Sequence, residues 1–250
     1  MINTLIRITY DGTNYSGFQI QANAPTIQRE LERALGVIYK QPLRVTGAGR
    51  TDSGVHARGQ AANYMAPFRI VSEQLAHAIN AALPPDIVIT DACEVPEDFH
   101  ARFDARRKTY SYTVDCAPFP QVLRRLYSLH LPDPLNLSEM RSAASLFTGT
   151  QDFKAFQAAG GSVTETSRTI YRVELNEDPA EQLLRIHYEG SGFLFRMVRL
   201  MTGTLIRVGK GSLTASDLEA ALAGLNPAAV GPPVPAHGLC LESVGYDLPK

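Results

Sequence analysis

The 250-residue sequence contains no tryptophan and only three cysteines, Cys93, Cys116 and Cys240. An odd number of scattered cysteines without a Cys-x-x-Cys pair argues against a disulfide framework and against a zinc cluster. The six histidines show no ligand spacing either. We therefore expect a reduced, cytoplasmic protein that holds no metal.

The sequence also lacks a long hydrophobic run. No apolar stretch approaches the roughly 20 residues of a membrane-spanning helix. The N-terminus alternates like a strand and lacks the apolar core and small-residue cleavage site of a signal peptide. A hydrophobic content of 44% is nevertheless ample for a core, and the length allows one large domain or two compact halves.

The chain as a whole has almost no excess of positive or negative charge, but individual segments do. The net charge of −1 and the pI near 6.6 argue mildly against nucleic-acid binding, which usually has a basic footprint. Residues 71–98 carry six acidic residues and no Lys or Arg, whereas residues 100–125 and 185–210 are predominantly basic. Such runs are usually solvated faces, so the segregation permits a polyanion site without proving one.

The most informative stretch runs from Gly47 to Gln60 and reads Gly-Ala-Gly-Arg-Thr-Asp-Ser-Gly-Val-His-Ala-Arg-Gly-Gln. It places Asp52 two residues after Arg50, in a glycine-rich turn between two predicted strands. An arginine beside a carboxylate favours its ionised form, which a nucleophile or a base requires. The simplest alternative is a structural turn in which Asp52 caps its own backbone.

Two phosphate-binding alternatives fail on this stretch. A dinucleotide fingerprint needs Gly-x-Gly-x-x-Gly at the start of a helix, but the third glycine here, Gly54, comes too late and no helix is predicted after it. The lysine and hydroxyl pair of a P-loop is also missing.

Periodicity predicts two α+β halves, 1–105 and 106–250, that meet where acidic composition changes to basic. In the first half we predict strands at 3–10, 42–46, 60–65 and 87–95, and helices at 26–39 and, with Ser72 as its N-cap, 72–82. In the second half we predict strands at 109–115, 166–176, 182–188 and 240–246, and helices at 138–147 (capped by Ser138), 193–208 and 215–223 (capped by Ser216 or Thr214).

Each predicted half has the element order βαββαβ of a ferredoxin-like split βαβ unit. The expected fold class is therefore α+β, with antiparallel or mixed sheets flanking a central cleft. A cleft between two such halves is the expected place for a site.

Six motifs along the chain carry a resemblance to a known family. They are Tyr10-Asp-Gly-Thr-Asn-Tyr-Ser-Gly-Phe-Gln, Gly49-Arg-Thr-Asp-Ser-Gly-Val-His-Ala, Asp98-Phe-His-Ala-Arg-Phe, Arg107-Lys-Thr-Tyr-Ser-Tyr, Phe193-Leu-Phe-Arg-Met-Val-Arg and Gly238-Leu-Cys-Leu-Glu-Ser-Val. On these motifs the chain resembles the bacterial tRNA pseudouridine synthase A family over nearly its full length.

The resemblance implies a pseudouridine synthase fold and an activity. The activity would be the isomerisation of uridine to pseudouridine at positions 38, 39 and 40 in the anticodon stem-loop of tRNA. The resemblance implies no cofactor and no metal. It also implies a homodimer in which one tRNA contacts both subunits.

The resemblance assigns roles to several residues. Asp52 matches the catalytic aspartate, and Tyr110 matches the active-site tyrosine that could stack on the extruded uracil. Tyr112 has the same side-chain parity on its strand, so the choice of Tyr110 depends on the resemblance. Arg50 fits the void left by a flipped base, and it could also pair with Asp52.

Three further residues have two interpretations each. Arg199 is the best candidate in the second half for pairing with Asp52; the alternative is a surface charge on a helix with an apolar core face. His56 and His100 are expected to brace the loop rather than to transfer protons.

A basic groove for tRNA would reconcile the near-zero net charge with RNA binding. Its expected members are Arg102, Arg106, Arg107 and, within the segment 196–210, Arg196.

Two residues depart from the family pattern. Phe18 stands where Trp is common, and it keeps the apolar bulk but lacks the indole donor. Leu200 stands where Asn is frequent. A second hypothesis is a catalytically silent RNA-binding protein on the same scaffold, with Asp52 as a cap. The presence of Arg50, Asp52 and Tyr110 together favours the enzyme.

Overall fold

The computed structural model describes residues 1–161, 163–224 and 226–248, without the side chains of Ser72 and Glu73. The chain forms two compact units. The first comprises Met1–Arg106 together with the chain from Cys240 onward, and the second comprises Arg107–Leu239. The capping role predicted for the Ser72 side chain lies outside the described residues.

The first unit begins with the element order predicted for its half. The elements are β1 (Ile2–Tyr10), α1 (Ile27–Tyr39), β2 (Thr46–Gly47), β3 (His56–Ala66), α2 (Ser72–Ala82) and β4 (Ile87–Glu94). Strand β1 is antiparallel to both β3 and β4, and β2 is antiparallel to β3. These pairings are those of a ferredoxin-like βαββαβ unit, so this part of the prediction is confirmed.

Helix α1 begins where the local sequence caps it. The Thr26 side chain accepts a hydrogen bond from the Arg29 backbone N–H, which satisfies one of the unpaired donors of the first turn. The buried residues of α1 recur at helical spacing; they are Ile27, Leu31, Ala34, Leu35 and Tyr39. This apolar face packs the helix into the core of the first unit.

The second unit contains a second set of strands and helices. They are β5 (Ala105–Asp115), β6 (Leu129–His130), α3 (Leu137–Ser145), β7 (Gly149–Asp152), β8 (Ser167–Asp178), β9 (Leu183–Gly190), α4 (Met197–Gly209) and α5 (Ala215–Leu222). Strand β9 is antiparallel to β5 and β8, β7 is antiparallel to β8, and β6 is parallel to β5. The α+β class with mixed sheets is therefore confirmed.

The last strand, β10 (Leu239–Tyr246), returns to the first unit. It runs parallel to β3 at the point where β3 begins, with Cys240 in register with His56. The first unit is consequently built from both ends of the chain.

The starts of two helices differ from the prediction. Helix α4 begins at Met197, four residues later than predicted, because Arg196 has the left-handed backbone conformation (φ 58°) and interrupts the helix there. Helix α3 is capped by Asn136 rather than Ser138. For α5, Thr214 is the cap, and it forms a reciprocal capping box with the residue three positions later.

The short strands also differ from the prediction. The strand predicted at 42–46 is reduced to the two residues of β2. Strands β6 and β7, of two and four residues, were not predicted, because so few residues show no periodicity. Pairing with neighbouring strands, rather than local sequence, makes these segments extended.

Helix α4 is buried around most of its surface, as a helix that is apolar on nearly every side must be. Its predicted core residues are all at most 5% exposed; they are Leu194, Met197, Val198, Met201 and Leu205. Within the described residues, no helix is both long enough and apolar enough to cross a membrane.

Buried amides tie β1 and β3 to the chain that follows β4. Asn3 Nδ2 donates to the Phe99 carbonyl oxygen at 2.7 Å. Asn63 Nδ2 donates to Asn3 Oδ1 at 2.8 Å, and Asn63 Oδ1 accepts from the Ala101 backbone N–H at 2.9 Å. Because both amides are buried, the network holds the segment 96–101 against the sheet.

We expect Asn63→Ala to lower the free energy of unfolding by about 1–3 kcal/mol, because it leaves buried polar groups of Asn3 and Ala101 without a partner. Urea unfolding checks this value. The matched control is Asn176→Ala, at an exposed position of β8, where the change should stay within about 0.5 kcal/mol. Equal losses in the two variants would contradict the role assigned to the network.

Candidate active site

The Asp52 turn, residues 48–55, connects β2 to β3. The Val55 backbone N–H donates to the Asp52 carbonyl oxygen at 3.2 Å, and Gly54 has a φ of 76°, which glycine adopts at no steric cost. The turn is followed by a strand, as predicted, and Asp52 itself is half-buried. This geometry excludes a phosphate loop at the start of a helix.

A second loop, residues 11–18, holds the Asp52 turn through its backbone. The Phe18 N–H donates to the Thr51 carbonyl oxygen at 3.1 Å, and the Gly54 N–H donates to the Tyr15 carbonyl oxygen at 3.3 Å. The Ser53 hydroxyl donates to the same Tyr15 oxygen at 3.2 Å. The residues on both sides of Asp52 are therefore anchored.

The close approach of the two loops depends on glycine. A Cβ atom on Gly17 would lie 2.6 Å from the Thr51 carbonyl oxygen, and one on Gly12 would lie 2.0 Å from the Val55 carbonyl oxygen. Real side chains do not tolerate such distances. The glycines of the 11–18 loop thus permit backbone-to-backbone packing against the Asp52 turn.

Buried polar side chains lie beneath the turn. The hydroxyl groups of Tyr10 and Thr51 are 2.8 Å apart. Gln60 Nε2 donates to the Tyr10 hydroxyl at 3.3 Å and to the Gly49 carbonyl oxygen at 3.1 Å. All three side chains are buried, and burial raises the pKa of Tyr10 above its ordinary value, although its hydrogen bonds to Thr51 and Gln60 oppose this.

The two histidines brace loops, as predicted. His56 Nδ1 accepts from the Gly12 N–H at 3.1 Å and lies 3.1 Å from Asp11 Oδ1. His100 Nδ1 accepts from the Arg102 N–H at 3.2 Å, within the turn that follows the segment 96–101. The Nδ1 atom of each ring therefore engages the backbone.

Arg50 is exposed. It forms no ion pair with Asp52 or with another acidic residue of the described chain. The pairing of Arg50 with Asp52 considered from the sequence is therefore not seen among the described ion pairs. The exposed guanidinium can instead meet a ligand.

The two tyrosines of β5 differ in what their side chains do. Tyr112 is fully buried, its hydroxyl donates to the Pro235 carbonyl oxygen at 2.9 Å, and burial raises its pKa. Tyr110 is 8% exposed and packs edge-to-face on Phe193, with ring centroids 5.2 Å apart. Tyr112 is therefore a structural residue, which leaves Tyr110 as the candidate for stacking.

Arg199 is not a surface charge. It is half-buried on α4, and its Nε donates to the Val234 carbonyl oxygen at 2.7 Å. The Val234 N–H in turn donates to the Arg199 carbonyl oxygen at 3.3 Å. This reciprocal contact fixes the direction of the side chain within the second unit.

The four arginines predicted to bind tRNA are all exposed. Arg106 forms an ion pair with Asp247 (3.4 Å), and Arg107 forms one with Glu189 (2.8 Å). The other two lie over aromatic rings of adjacent residues: Arg102 over Phe103 and Arg196 over Phe195. Arg102 and Arg106 belong to the first unit, and Arg107 and Arg196 belong to the second.

Both departures from the family pattern lie in packed positions. The Phe18 ring is 2% exposed and covers Gly47, where a Cβ atom would lie 2.4 Å from the ring. Leu200 is 6% exposed. Apolar packing, rather than a polar contact, is what these two side chains contribute.

Sequence reasoning did not assign a role to Tyr10, Thr51 or Gln60. Tyr10 and Thr51 lie inside recognised motifs, which was the available signal. Their mutual contact joins β1 to the Asp52 turn across 41 residues of chain, and no local pattern indicates such a pair.

Similarity to known proteins identifies the family of this chain. The family model for tRNA pseudouridine synthase matches residues 6–104 and 143–247. The chain is 44% identical over 243 residues to a tRNA pseudouridine synthase A of Ruminiclostridium cellulolyticum, covering 96% of this chain and 98% of that one. It is 43% identical to that of Shouchella clausii, over 97% of this chain and 93% of that one.

A chain in the crystal structure of the archaeal box H/ACA sRNP Nop10-Cbf5 complex is 12% identical, with a TM-score of 0.40, over 82% of this chain and 44% of that chain. A TM-score this low supports no conclusion. The family is established instead by the family model, which matches both parts of the chain, and by the identity to relatives over nearly their full length. The chain belongs to the tRNA pseudouridine synthase family.

Proposed function

We propose that this protein converts uridine to pseudouridine at positions 38, 39 and 40 of the anticodon stem-loop of tRNA, with Asp52 as the catalytic group. The observation that carries the proposal is the half-buried Asp52 on a turn whose flanking residues are anchored by hydrogen bonds. The relatives that share this stretch of chain are named tRNA pseudouridine synthase A. The tRNA substrate comes from those names.

The reaction exchanges one bond for another. The glycosidic bond between N1 of uracil and the ribose breaks, the base rotates, and a bond from C5 to the ribose replaces it, while C5 loses a proton and N1 gains one. An ionised carboxylate at Asp52 can act in two ways: it attacks the ribose or the pyrimidine as a nucleophile, or it deprotonates the sugar. Both routes need the same carboxylate, and neither needs a metal or a cofactor.

The target base must leave the stack before Asp52 can reach it, at a cost of a few kcal/mol. Arg50 is exposed, with no acidic partner in the described chain, so it can occupy the space that the base leaves. Tyr110 is buried, at 8% exposed, with its ring packed edge-to-face on Phe193, and that ring would stack on the flipped uracil when the base enters the site. Arg199, whose direction is set by Val234, would pair with Asp52 in the complete site.

The site proposed here uses both predicted halves, 1–105 for Asp52 and Arg50 and 106–250 for Tyr110 and Arg199. A cleft between the halves remains part of the proposal. A protein that modifies tRNA works where tRNA is present, so we place it in the cytoplasm.

One prediction concerns Asp52. We expect Asp52→Asn to reduce tritium release from tRNA labelled at C5 of uridine by at least about 10²-fold, the lower bound for loss of an acid–base group. The control is Asp91→Asn, an exposed carboxylate of β4 in the same unit, which should retain full activity.

Two outcomes would refute the proposal for Asp52. Equal release by wild type and Asp52→Asn would eliminate Asp52 as the catalytic group. No release by either protein, with tRNA binding intact, would favour the silent RNA-binding protein.

Another prediction concerns the basic groove. Binding of tRNA should weaken as salt concentration rises, and Arg102→Ala should reduce the slope of log K against log salt by about 1. Arg106→Ala should change the slope less, because that guanidinium is shared with Asp247. Arg141→Ala, which removes an exposed arginine paired with Glu177, is the control. Affinity that does not depend on salt would exclude the groove.

The proposed homodimer has support in an exposed apolar segment of the second unit. Its side chains are Phe119 (80% exposed), Val122 (68%), Leu123 (90%) and Tyr127 (48%). The buried Asp115 fixes the start of this segment, because its carboxylate accepts hydrogen bonds from the backbone N–H groups of Ala117 and Gln121. Concentrated exposed apolar surface of this kind marks an interaction site, and we assign it to a second copy of the chain.

A substitution at Leu123 tests that assignment. Leu123→Asp should convert the dimer to a monomer in size-exclusion chromatography with light scattering, because the charge would be buried without a partner. Val37→Asp, at a 51% exposed position of α1, should leave the dimer intact. A wild-type protein that is monomeric at micromolar concentration would overturn the assignment.

A further inference from the structure

The three buried side chains beneath the Asp52 turn, Tyr10, Thr51 and Gln60, form one connected network. Tyr10 is 3% exposed, Thr51 is 6% exposed and Gln60 is fully buried. The network joins the end of β1 to the turn and to β3. None of the three carries a charge, and none belongs to the set proposed to contact the substrate.

The donors and acceptors of the network have a defined order. Gln60 Nε2 can only donate, so the Tyr10 oxygen accepts from it. The phenol proton of Tyr10 is then available to the Thr51 hydroxyl at 2.8 Å. Burial raises the pKa of Tyr10, so this donor stays protonated through the neutral range.

The network acts on the backbone just before Asp52. Thr51 is held through its hydroxyl by Tyr10 and through its carbonyl by the Phe18 N–H. Gly49 is held through its carbonyl by Gln60. With Ser53 and Gly54 anchored on the Tyr15 carbonyl, the backbone on either side of Asp52 has little freedom to move.

A carboxylate that attacks or deprotonates a flipped nucleotide must be held in a narrow range of positions, because a misplacement of 1 Å can cost on the order of 10²-fold in rate. Second-layer hydrogen bonds supply this precision in enzyme sites. The 11–18 loop alone holds Thr51 by one backbone contact. The Tyr10 hydroxyl adds a second contact, which resists rotation of the residue next to Asp52.

We propose that Tyr10, Thr51 and Gln60 are positioning residues that hold the Asp52 carboxylate in its reactive place. This inference rests on the proposed catalytic role of Asp52. The network holds the backbone that precedes Asp52, at Gly49 and Thr51, so it should affect the rate of the chemical step more than the affinity for tRNA.

The test removes single hydroxyl groups and keeps side-chain shape. We expect Thr51→Val and Tyr10→Phe to lower kcat for tritium release by roughly 10- to 100-fold, with KM for tRNA changed by less than about 2-fold. Thr51→Ser keeps the hydroxyl and should retain most of the wild-type kcat. Tyr10→Phe retains the buried ring, so it decides the question if Thr51→Val folds poorly.

A matched control separates positioning from general stability. The hydroxyl groups of Tyr39 and Tyr64 form another buried pair in the same unit, 3.3 Å apart, and this pair has no contact with the Asp52 turn among the described hydrogen bonds. Tyr39→Phe should lower thermal stability about as much as Tyr10→Phe but leave kcat unchanged. Equal kcat values for Tyr10→Phe, Thr51→Val and Tyr39→Phe would overturn the inference.

The inference and the proposed function can fail separately. An active Asp52→Asn variant would refute the catalytic role of Asp52 itself. An inactive Asp52→Asn variant, together with wild-type kcat in both Tyr10→Phe and Thr51→Val, would refute only the positioning role.

Discussion

The candidate site depends on the hydrogen bond between the Phe18 N–H and the Thr51 carbonyl oxygen, 3.1 Å long. This hydrogen bond holds the 11–18 loop against the Asp52 turn, where a Cβ atom on Gly17 would lie only 2.6 Å from the Thr51 carbonyl oxygen. Once the two backbones are in contact, the carbonyl of Tyr15 can anchor the far side of the turn. A half-buried carboxylate is thus displayed on a rigid support rather than on a mobile loop.

The second unit fixes its functional side chains by the same means. The segment Val234–Pro235 offers two successive carbonyl oxygens, one to Arg199 Nε and one to the Tyr112 hydroxyl. Buried polar groups need such partners, because an unsatisfied one costs about 1–3 kcal/mol. These backbone carbonyl groups therefore orient Arg199 and hold the hydroxyl of Tyr112.

Charge has a different distribution from what composition alone suggests. Arg106 and Arg107 are counterbalanced by Asp247 and Glu189, so part of the basic segment is already neutralised within the protein. Arg50 has no such acidic partner among the described residues. A protein with almost no net charge can in this way keep particular guanidinium groups available for an anionic ligand.

Long periodic segments and motif residues were predictable because their signals are local. Helix α1, the core face of α4 and the element order at the start of the first unit follow from spacing, and a motif marks Asp52 as the candidate. The folded chain settled the features that depend on distant partners. These are the two-residue β2, the left-handed Arg196 that delays α4, and the contact of Tyr10 with Thr51. Each of these features depends on a contact with a distant part of the chain or on the conformation of one residue. Hydrophobic periodicity predicts neither kind of feature.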